Sequence, residues 1–477
     1  MNSSLNFWLL LLIYSLGSGI NLILLGHLIE LSLSFSILFG ILILFFDNQV
    51  LKKRSMFDLI VFSYYFVFLY LAPIIQTHLN IFPNNIVLEY EFAVFNVLLS
   101  TIFLVTYWFA TNFVYNPFYH SLSWTKKIRR IALYLETNGK SAFRTFFTLS
   151  ILLLFIFKEY IFNISETFEV NPTYKTAYDL LVSKFLLFVP FVPFYVFSTF
   201  KCKPWKRFFG LFSTVLLLAL SKNPFNEKRA LLGSIYMSIL TYFLLKSRSF
   251  LLTKGFLVGL LVSIVLMTLF LYPTVKALTH SSIKIFELGA KYEVVLEDIF
   301  NYLSDFTGNI TSLDYDSWAN AMVTLKYTWM KGHSWGKQLV TSLTFFVPRA
   351  LYPNKGEGTG GIIGDFVISN YGGWQRQISN PLYSEFYYDL SFFGVFLGAL
   401  FLDFLRRFSN ELKVIGNDYL YLVSLFIDFY TLYLLRGDFI SCFAYLTGYF
   451  VAVLVLPYIY LSAVGSFRTN IRRLAYD

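Results

Sequence analysis

Met56-Phe-Asp-Leu-Ile-Val-Phe-Ser-Tyr-Tyr-Phe-Val-Phe-Leu-Tyr-Leu-Ala-Pro-Ile-Ile-Gln76 is a run of twenty-one residues with a single charged side chain, Asp58. As a helix it has the length that the roughly 30 Å hydrocarbon core of a bilayer requires. Similar apolar runs recur near 5–26, 29–46, 92–115, 145–162, 180–199, 208–221, 230–245, 254–273, 388–405, 418–435 and 439–463. The expectation is an all-α polytopic membrane protein of about twelve transmembrane helices. Composition agrees: 57% of the 477 residues are hydrophobic and only 14% charged, against about 25% charged in a soluble domain. Proline bounds several runs, at Pro73, Pro117 and Pro273, and the shortest, 208–221, reads as a broken or tilted span. The first run lacks both a basic leader and a small-residue cleavage site, so it reads as a retained helix.

Charge orients the array. Lys52, Lys53 and Arg54; Lys126, Lys127, Arg129, Arg130, Lys140 and Arg144; Lys201, Lys203, Lys206 and Arg207; Lys246, Arg248 and Lys254; Arg406, Arg407 and Lys413; and Arg468, Arg472 and Arg473 occupy alternate connections. They hold 22 of the 38 basic residues, while the opposite connections at 27–30 and 77–91 hold none. Positive charge is retained in the cytoplasm, so both termini are expected there. The net charge of +10 is mostly this asymmetry, with a contribution to anionic lipid contact, and is no signal for nucleic acid. Cys202 and Cys442 lie far apart, which argues against a disulfide framework or a thiolate metal site.

The expected organisation is transmembrane helices 1–9 in residues 1–273, an extracytoplasmic loop over 274–387, and helices 10–12 with a basic cytoplasmic tail in 388–477. The loop opens with apolar positions between Ile283 and Phe306 that suggest amphipathic helices lying on the membrane. From Trp318 to Val347 it carries Trp329, His333 and Trp335; these tryptophans suit either sugar stacking or the interfacial belt. Gly356-Glu-Gly-Thr-Gly-Gly-Ile-Ile-Gly364 lacks the spacing of a nucleotide-binding fingerprint and reads as a mobile loop that lets backbone approach a substrate.

Sixteen basic residues fall on the outer side, where topology gives no reason for them. Lys222, Lys228 and Arg229 sit in a short turn, and Arg436 sits in Arg436-Gly-Asp438. At the edge of a bundle such groups suit the phosphates of a lipid headgroup, arginine through its planar fork. Simple ion pairs, Arg436 with Asp438 and Arg229 with Glu227, account for the same placement. Glu385 and His333 are the candidate proton acceptors; a desolvated glutamate at the membrane edge has its pKa pushed upward unless arginines offset this. No cluster with metal-ligand spacing appears, so no metal or other cofactor is expected.

Twelve helices, a large outer loop between the ninth and tenth, Phe346-Val-Pro-Arg-Ala-Leu-Tyr-Pro-Asn-Lys355, Glu385 followed by Asp389-Leu-Ser-Phe-Phe-Gly394-Val-Phe-Leu-Gly398, and Arg436-Gly-Asp together resemble the Wzy oligosaccharide repeat-unit polymerases. The topological likeness covers the whole chain, the motif likeness mainly 345–400, 221–230 and 436–438. It implies a GT-C-like membrane glycosyltransferase of the bacterial inner membrane that joins undecaprenyl-diphosphate-linked oligosaccharides into O-antigen or capsular polysaccharide, without metal or nucleotide sugar. Membrane lipids surround it, with a chain-length regulator and a flippase as further partners. Carried onto this chain, Arg229 and Arg436 hold the donor diphosphate, Arg349, Lys355 and Lys222 contribute, and Glu385 or His333 receives the acceptor proton. An O-antigen ligase shares nearly every feature. A glycolipid flippase is the alternative of another class, disfavoured by unlike halves and by spans whose ionisable residues are few apart from Asp403 and Asp428.

Overall fold

The structure, a computed structural model, describes residues 7–113, 123–158, 182, 184–199, 204–222, 229–247, 306–348 and 350–463. No strand occurs among them. Among the described residues, eight helices are long and apolar enough to cross a membrane: α1 (Phe7–Leu25), α2 (Ile29–Lys52), α3 (Met56–Leu79), α4 (Tyr90–Phe113), α6 (Gly139–Ile156), α13 (Leu382–Val414), α14 (Asp418–Arg436) and α15 (Phe439–Ser462). Three shorter apolar helices stand where spans were also expected, α7 (Leu186–Ser198), α8 (Pro204–Ser221) and α9 (Arg229–Ser247). The expected span at 254–273, the amphipathic pieces after Ile283 and the tail beyond Ala463 lie outside the described residues.

The element α5 (Ser123–Thr137) falls where the sequence reading had only a basic connection. Its Ile128, Ile131, Ala132 and Leu135 are buried at helical spacing while Lys127, Arg129 and Arg130 are exposed. That is the pattern of a helix lying along an interface.

α13 and α14 form the centre. α13 packs on α4 and α14, and α14 packs on α3 and, most extensively, on α9. Ser234 of α9 donates to the Phe429 carbonyl at 3.2 Å, and the Tyr242 ring stands 6.4 Å from that of Tyr421. The two helices are therefore antiparallel, and their register sets the main chain of Arg229 level with Leu434, at the same end of the bundle as Arg436.

At that end a polar cap closes over the spans. It comprises α10 (Ser317–Lys331), α11 (Lys337–Leu343), α12 (Thr359–Tyr371) and the segments joining them. Amide side chains from the spans and their connection hold it down. Gln76 donates to the Ile310 and Tyr315 carbonyls at 2.7 and 3.1 Å, Asn96 to the Trp318 carbonyl at 2.9 Å, and the Asn84 amide oxygen accepts from Trp374 and Gln375 N–H. Lys326 bonds Glu89 at 2.6 Å and Tyr371 at 3.2 Å; burial opposes its charge, but these partners hold its ammonium pKa above the usual value.

The glycine run, expected as a loop from 356 to 364, stays irregular only through Gly358 and is helical from Thr359 on. Thr359–Tyr371 is α12, ending at Gly372 in the left-handed region (φ 66°). A Cβ on Gly360 would lie 2.3 Å from the Ile378 carbonyl oxygen, and one on Gly364 only 1.7 Å from that of Arg376. These glycines let the returning backbone of 376–378 pass directly over one helix face.

α13 begins at Leu382, six residues before the expected span, so Glu385 lies in its first turn. At 33 residues the helix runs roughly 50 Å, more than a bilayer core, and it breaks at Leu390–Ser391. Ser391 takes φ 58° and ψ −149°, a conformation that L side chains disfavour. Tyr387 O meets His333 Nδ1 at 2.9 Å, Tyr388 O accepts from Ser334 N–H at 2.9 Å and Asp389 O from Gly336 N–H at 3.2 Å, so the break is sealed by the segment between α10 and α11.

At the opposite end the sequence reading placed Arg406, Arg407 and Lys413 in a connection. The structure carries α13 on to Val414 and pairs all three. Arg406 bonds buried Asp58 at 2.8 Å, Arg407 bonds Asp403 at 2.6 Å, and Lys413 bonds Asp428 at 2.5 Å. Tyr107 donates to Asp58 at 2.5 Å and Ser409 to Asp428 at 2.5 Å, which completes these acids.

Candidate functional site beneath the cap

Three helix ends meet under the cap. The first turn of α13 brings Glu385, α12 starts with Thr359, and the turn from α14 to α15 brings Arg436, Gly437 and Asp438. Glu385 is 2% exposed. Its Oε1 accepts from the Thr359 hydroxyl at 2.6 Å and its Oε2 from the Phe439 N–H at 2.8 Å. The same hydroxyl stands 3.3 Å from Asp438 Oδ1, so one Thr359 proton is shared between two carboxyl groups. Asp438 also caps α15 by accepting from Ser441 N–H at 3.1 Å, which fixes its direction. Among the described residues no lysine or arginine forms an ion pair with Glu385. A buried carboxyl group without a countercharge is an apt proton acceptor.

Close packing holds this turn. A Cβ on Gly437 would fall 2.7 Å from the Cys442 sulfur and 2.9 Å from the Tyr433 carbonyl oxygen, and one on Gly358 would fall 2.8 Å from Asp438 Oδ1. At Gly437 main chain stands in the way of a larger residue, whereas at Gly358 a larger residue would have to displace the Asp438 carboxylate.

Arg436 reaches across the chain to the segment just ahead of α10. Its Nη2 donates to the Leu313 carbonyl at 3.0 Å and reaches Asp316 Oδ1 at 3.4 Å, and its guanidinium lies 5.4 Å from the centroid of the Phe68 ring. Phe68 belongs to a π-helical stretch, Tyr65–Leu71, just ahead of Pro73. Asp316 is buried, and burial pushes its carboxyl above the usual aspartate range; the Arg436 guanidinium and then the Ser379 hydroxyl, 2.5 Å away, work against that rise.

The remaining sequence candidates separate. Lys222 is 1% exposed and sits over the Phe188 ring, 4.2 Å from its centroid. Lys355 Nζ donates to the Phe345 and Val347 carbonyls at 2.6 and 3.0 Å, tying the segment that carries Pro348 into a closed turn. His333 touches Tyr387 and Trp335, and shares no bonding partner with Glu385. Its neighbour Ser334 bonds Asp389, which also accepts from Gln338 and Leu339 N–H and so fixes the start of α11. Only the main chain of Arg229 is described, and Arg349 lies outside the described residues. Trp329 and Trp335 are exposed, whereas Trp318 is fully buried in the core.

Thr359, Asp316 and the pairing role of Asp438 were missed by sequence reasoning. Asp438 was visible as a neighbour of Arg436, and Thr359 was visible only as a polar residue in a glycine run. Asp316 lies 120 positions from Arg436 and carried no signal.

The fold and this site define a class: a polytopic helical membrane protein with a polar helical cap over one end of its bundle. No family model matches the chain, and no curated protein or solved structure matches it either.

Proposed function

We propose that the protein is a membrane glycosyltransferase that polymerises undecaprenyl-diphosphate-linked oligosaccharide repeat units into O-antigen or capsular polysaccharide at the outer face of the bacterial inner membrane. The observation that carries the reading is the Glu385–Thr359–Asp438 bridge, one residue beyond Arg436 and Gly437 in the turn under the cap. The acceptor hydroxyl gives its proton to Glu385 as its oxygen bonds the anomeric carbon of the donor. The bond from that carbon to the donor's diphosphate breaks, and the electron pair leaves with the diphosphate. Arg436, and Arg229 at the same end of the bundle, stabilise that developing charge. The protein on this reading has twelve spans in a GT-C-like arrangement, with 254–273 as the ninth and both termini cytoplasmic. Basic residues concentrated in alternate connections support that orientation.

Glycolipid transport is a second reading, favoured by the acid–base pairs on α3, α13 and α14. Deletion followed by gel analysis of the surface glycan separates the readings. Single-repeat product is expected for the polymerase; loss of all surface glycan points to transport, and unattached polymer points to a ligase.

A further inference from the structure

The chain from Trp335 to Val347 is turned inside out. Its outward side chains are apolar: Trp335, Val340, Leu343 and Phe346 are between 45% and 74% exposed. The inward face of α11 is polar, with Gln338, Thr341 and Ser342 at most 3% exposed. In water the hydrophobic effect drives the opposite arrangement, so the outer face suits another solvent. The main chain is satisfied from inside. Asp389 accepts from the Gln338 and Leu339 N–H at 3.0 and 2.9 Å, and Lys355 donates to the Phe345 and Val347 carbonyls. Backbone that leaves a regular helix at membrane depth requires such partners. Depth follows from α15. α11 packs on α15 and α13, and just beyond it Phe345 stacks at 5.7 Å on Phe185, whose Cα is 3.4 Å from where a Cβ on Gly448 would stand. Gly448 lies roughly 14 Å along that span from Phe439.

We propose that α11 and its flanks dip into the leaflet on the cap side of the membrane, with Val340, Leu343 and Phe346 against lipid acyl chains. Continuity with a spanning helix identifies lipid as the occupant. The rings of Trp335, His333, Tyr387 and Phe392 follow one another at 5.4, 5.2 and 5.5 Å, which joins this face to the spanning part of α13. There Phe393, Phe396 and Leu400 form an exposed apolar stripe of the kind that a span turns to lipid. Charge agrees with the placement. No acidic residue occurs from Ser317 to Gly356, and Lys331 and Lys337, exposed on either side of Trp335, suit the lipid phosphates at the edge of that leaflet. α11 then forms a wall between the acyl chains and the acid centre. Its Thr341 hydroxyl accepts from Gly356 N–H at 2.9 Å, two residues ahead of the Gly358 that abuts Asp438 and three ahead of Thr359. That a lipid-linked substrate approaches past this wall rests on the proposed function; immersion of the wall does not.

Spin labelling of the full-length protein in phospholipid nanodiscs tests the immersion, in a Cys202→Ser background that leaves the buried Cys442 in place. Labels go on Val340→Cys, Leu343→Cys and Phe346→Cys, with Phe393→Cys on α13 and Glu357→Cys, exposed on the cap, as references. The ratio of collisions with oxygen to collisions with the water-soluble complex NiEDDA is read at each position. At all three it is expected to match Phe393→Cys within about twofold and to exceed Glu357→Cys about tenfold. A ratio like that of Glu357→Cys places the face in water and overturns the proposal. Labels shielded from both reagents overturn it in favour of cover by another part of the chain or by a partner protein. Wild-type protein gives a second arm that needs no variant to fold: photolysis in nanodiscs with a phospholipid carrying a diazirine in its acyl chain. Adducts are expected in the tryptic peptide 338–349 as well as in 377–406, which contains Phe393; adducts in the second alone overturn the proposal. Lipid contact at α11 combined with a deletion strain of normal surface glycan keeps the immersed wall and retires the polymerase reading. Single-repeat product in the deletion strain with water at α11 does the reverse.

Discussion

Glu385 and Asp438, 53 positions apart, are joined through one hydroxyl, that of Thr359, at 2.6 Å from the first carboxylate and 3.3 Å from the second. Because the hydroxyl has a single proton, it serves one carboxylate at a time, and the other must find its proton elsewhere. Thr359→Val keeps the shape and removes that bridge. Polymerisation is expected to fall about tenfold to a hundredfold with protein level unchanged, and Thr359→Ser to restore most of it. Chain-length ladders identical in wild type and Thr359→Val would show that the bridge has no part in turnover.

Glu385→Gln probes the acceptor role itself. The amide retains the volume and one acceptor for Phe439 N–H but cannot take a proton from a substrate hydroxyl. Long-chain glycan is expected to disappear while single-repeat product persists. A normal ladder in this variant removes Glu385 from the reaction.

The Arg436–Asp316 pair makes a pH-dependent prediction with a definite sign. Burial raises the Asp316 pKa above its unfolded value, so the fold favours its protonated form. Stability from this group is full below the unfolded pKa and is lost as pH rises through the folded one. Arg436 works against the rise, so Arg436→Ala extends the window upward, and above the variant's folded pKa a buried carboxylate is left without its guanidinium. Melting of the purified variant is expected to fall below wild type more at about pH 8 than at about pH 5, by about 1–3 kcal/mol. An equal deficit at both pH values contradicts the assignment.

Much of the bundle was legible because apolar runs of spanning length leave few alternatives: eleven of the twelve expected spans coincide with described helices, eight of them long and apolar enough to cross a membrane. The cap was not legible. Glycines at 360 and 364 lower helix propensity and read as a loop, yet the structure uses them because neighbouring backbone lies where side chains would be. The basic run at 126–130 read as a connection, since its helical periodicity is legible only once Ile128, Ile131 and Leu135 have a surface to cover. Arg406, Arg407 and Lys413 read as topological charge because their acids sit on other spans or a turn earlier on the same one. Contacts between residues distant in sequence leave no local trace, and the pairing of Arg436 with Asp316 is of that kind.

Gly364→Ala tests the packing of the cap. The added methyl would meet the Arg376 carbonyl, and main chain cannot rotate away as a side chain can. A loss of about 1–3 kcal/mol is expected, read as earlier melting and faster proteolytic cleavage between residues 372 and 381. Gly361→Ala, where a Cβ meets nothing within 4 Å, serves as the control and should raise helix stability slightly. Equal behaviour of the two variants contradicts the close approach of 376–378 to α12.

Ser391 concentrates strain in the helix that carries Glu385. Its φ of 58° and ψ of −149° suit glycine, and holding serine there costs about 1–3 kcal/mol. Glycine relieves that strain but raises the entropy of the unfolded chain, which offsets about 0.5–1 kcal/mol of the gain. Ser391→Gly is therefore expected to stabilise the protein by up to about 2 kcal/mol. The carbonyls of Tyr387, Tyr388 and Asp389 keep His333, Ser334 and Gly336 as partners in either case, so the break itself should persist. If the break serves only to aim Glu385 at Thr359, activity should be retained together with the higher melting temperature. A variant less stable than wild type would mean that Ser391 does not hold the left-handed conformation in the folded protein.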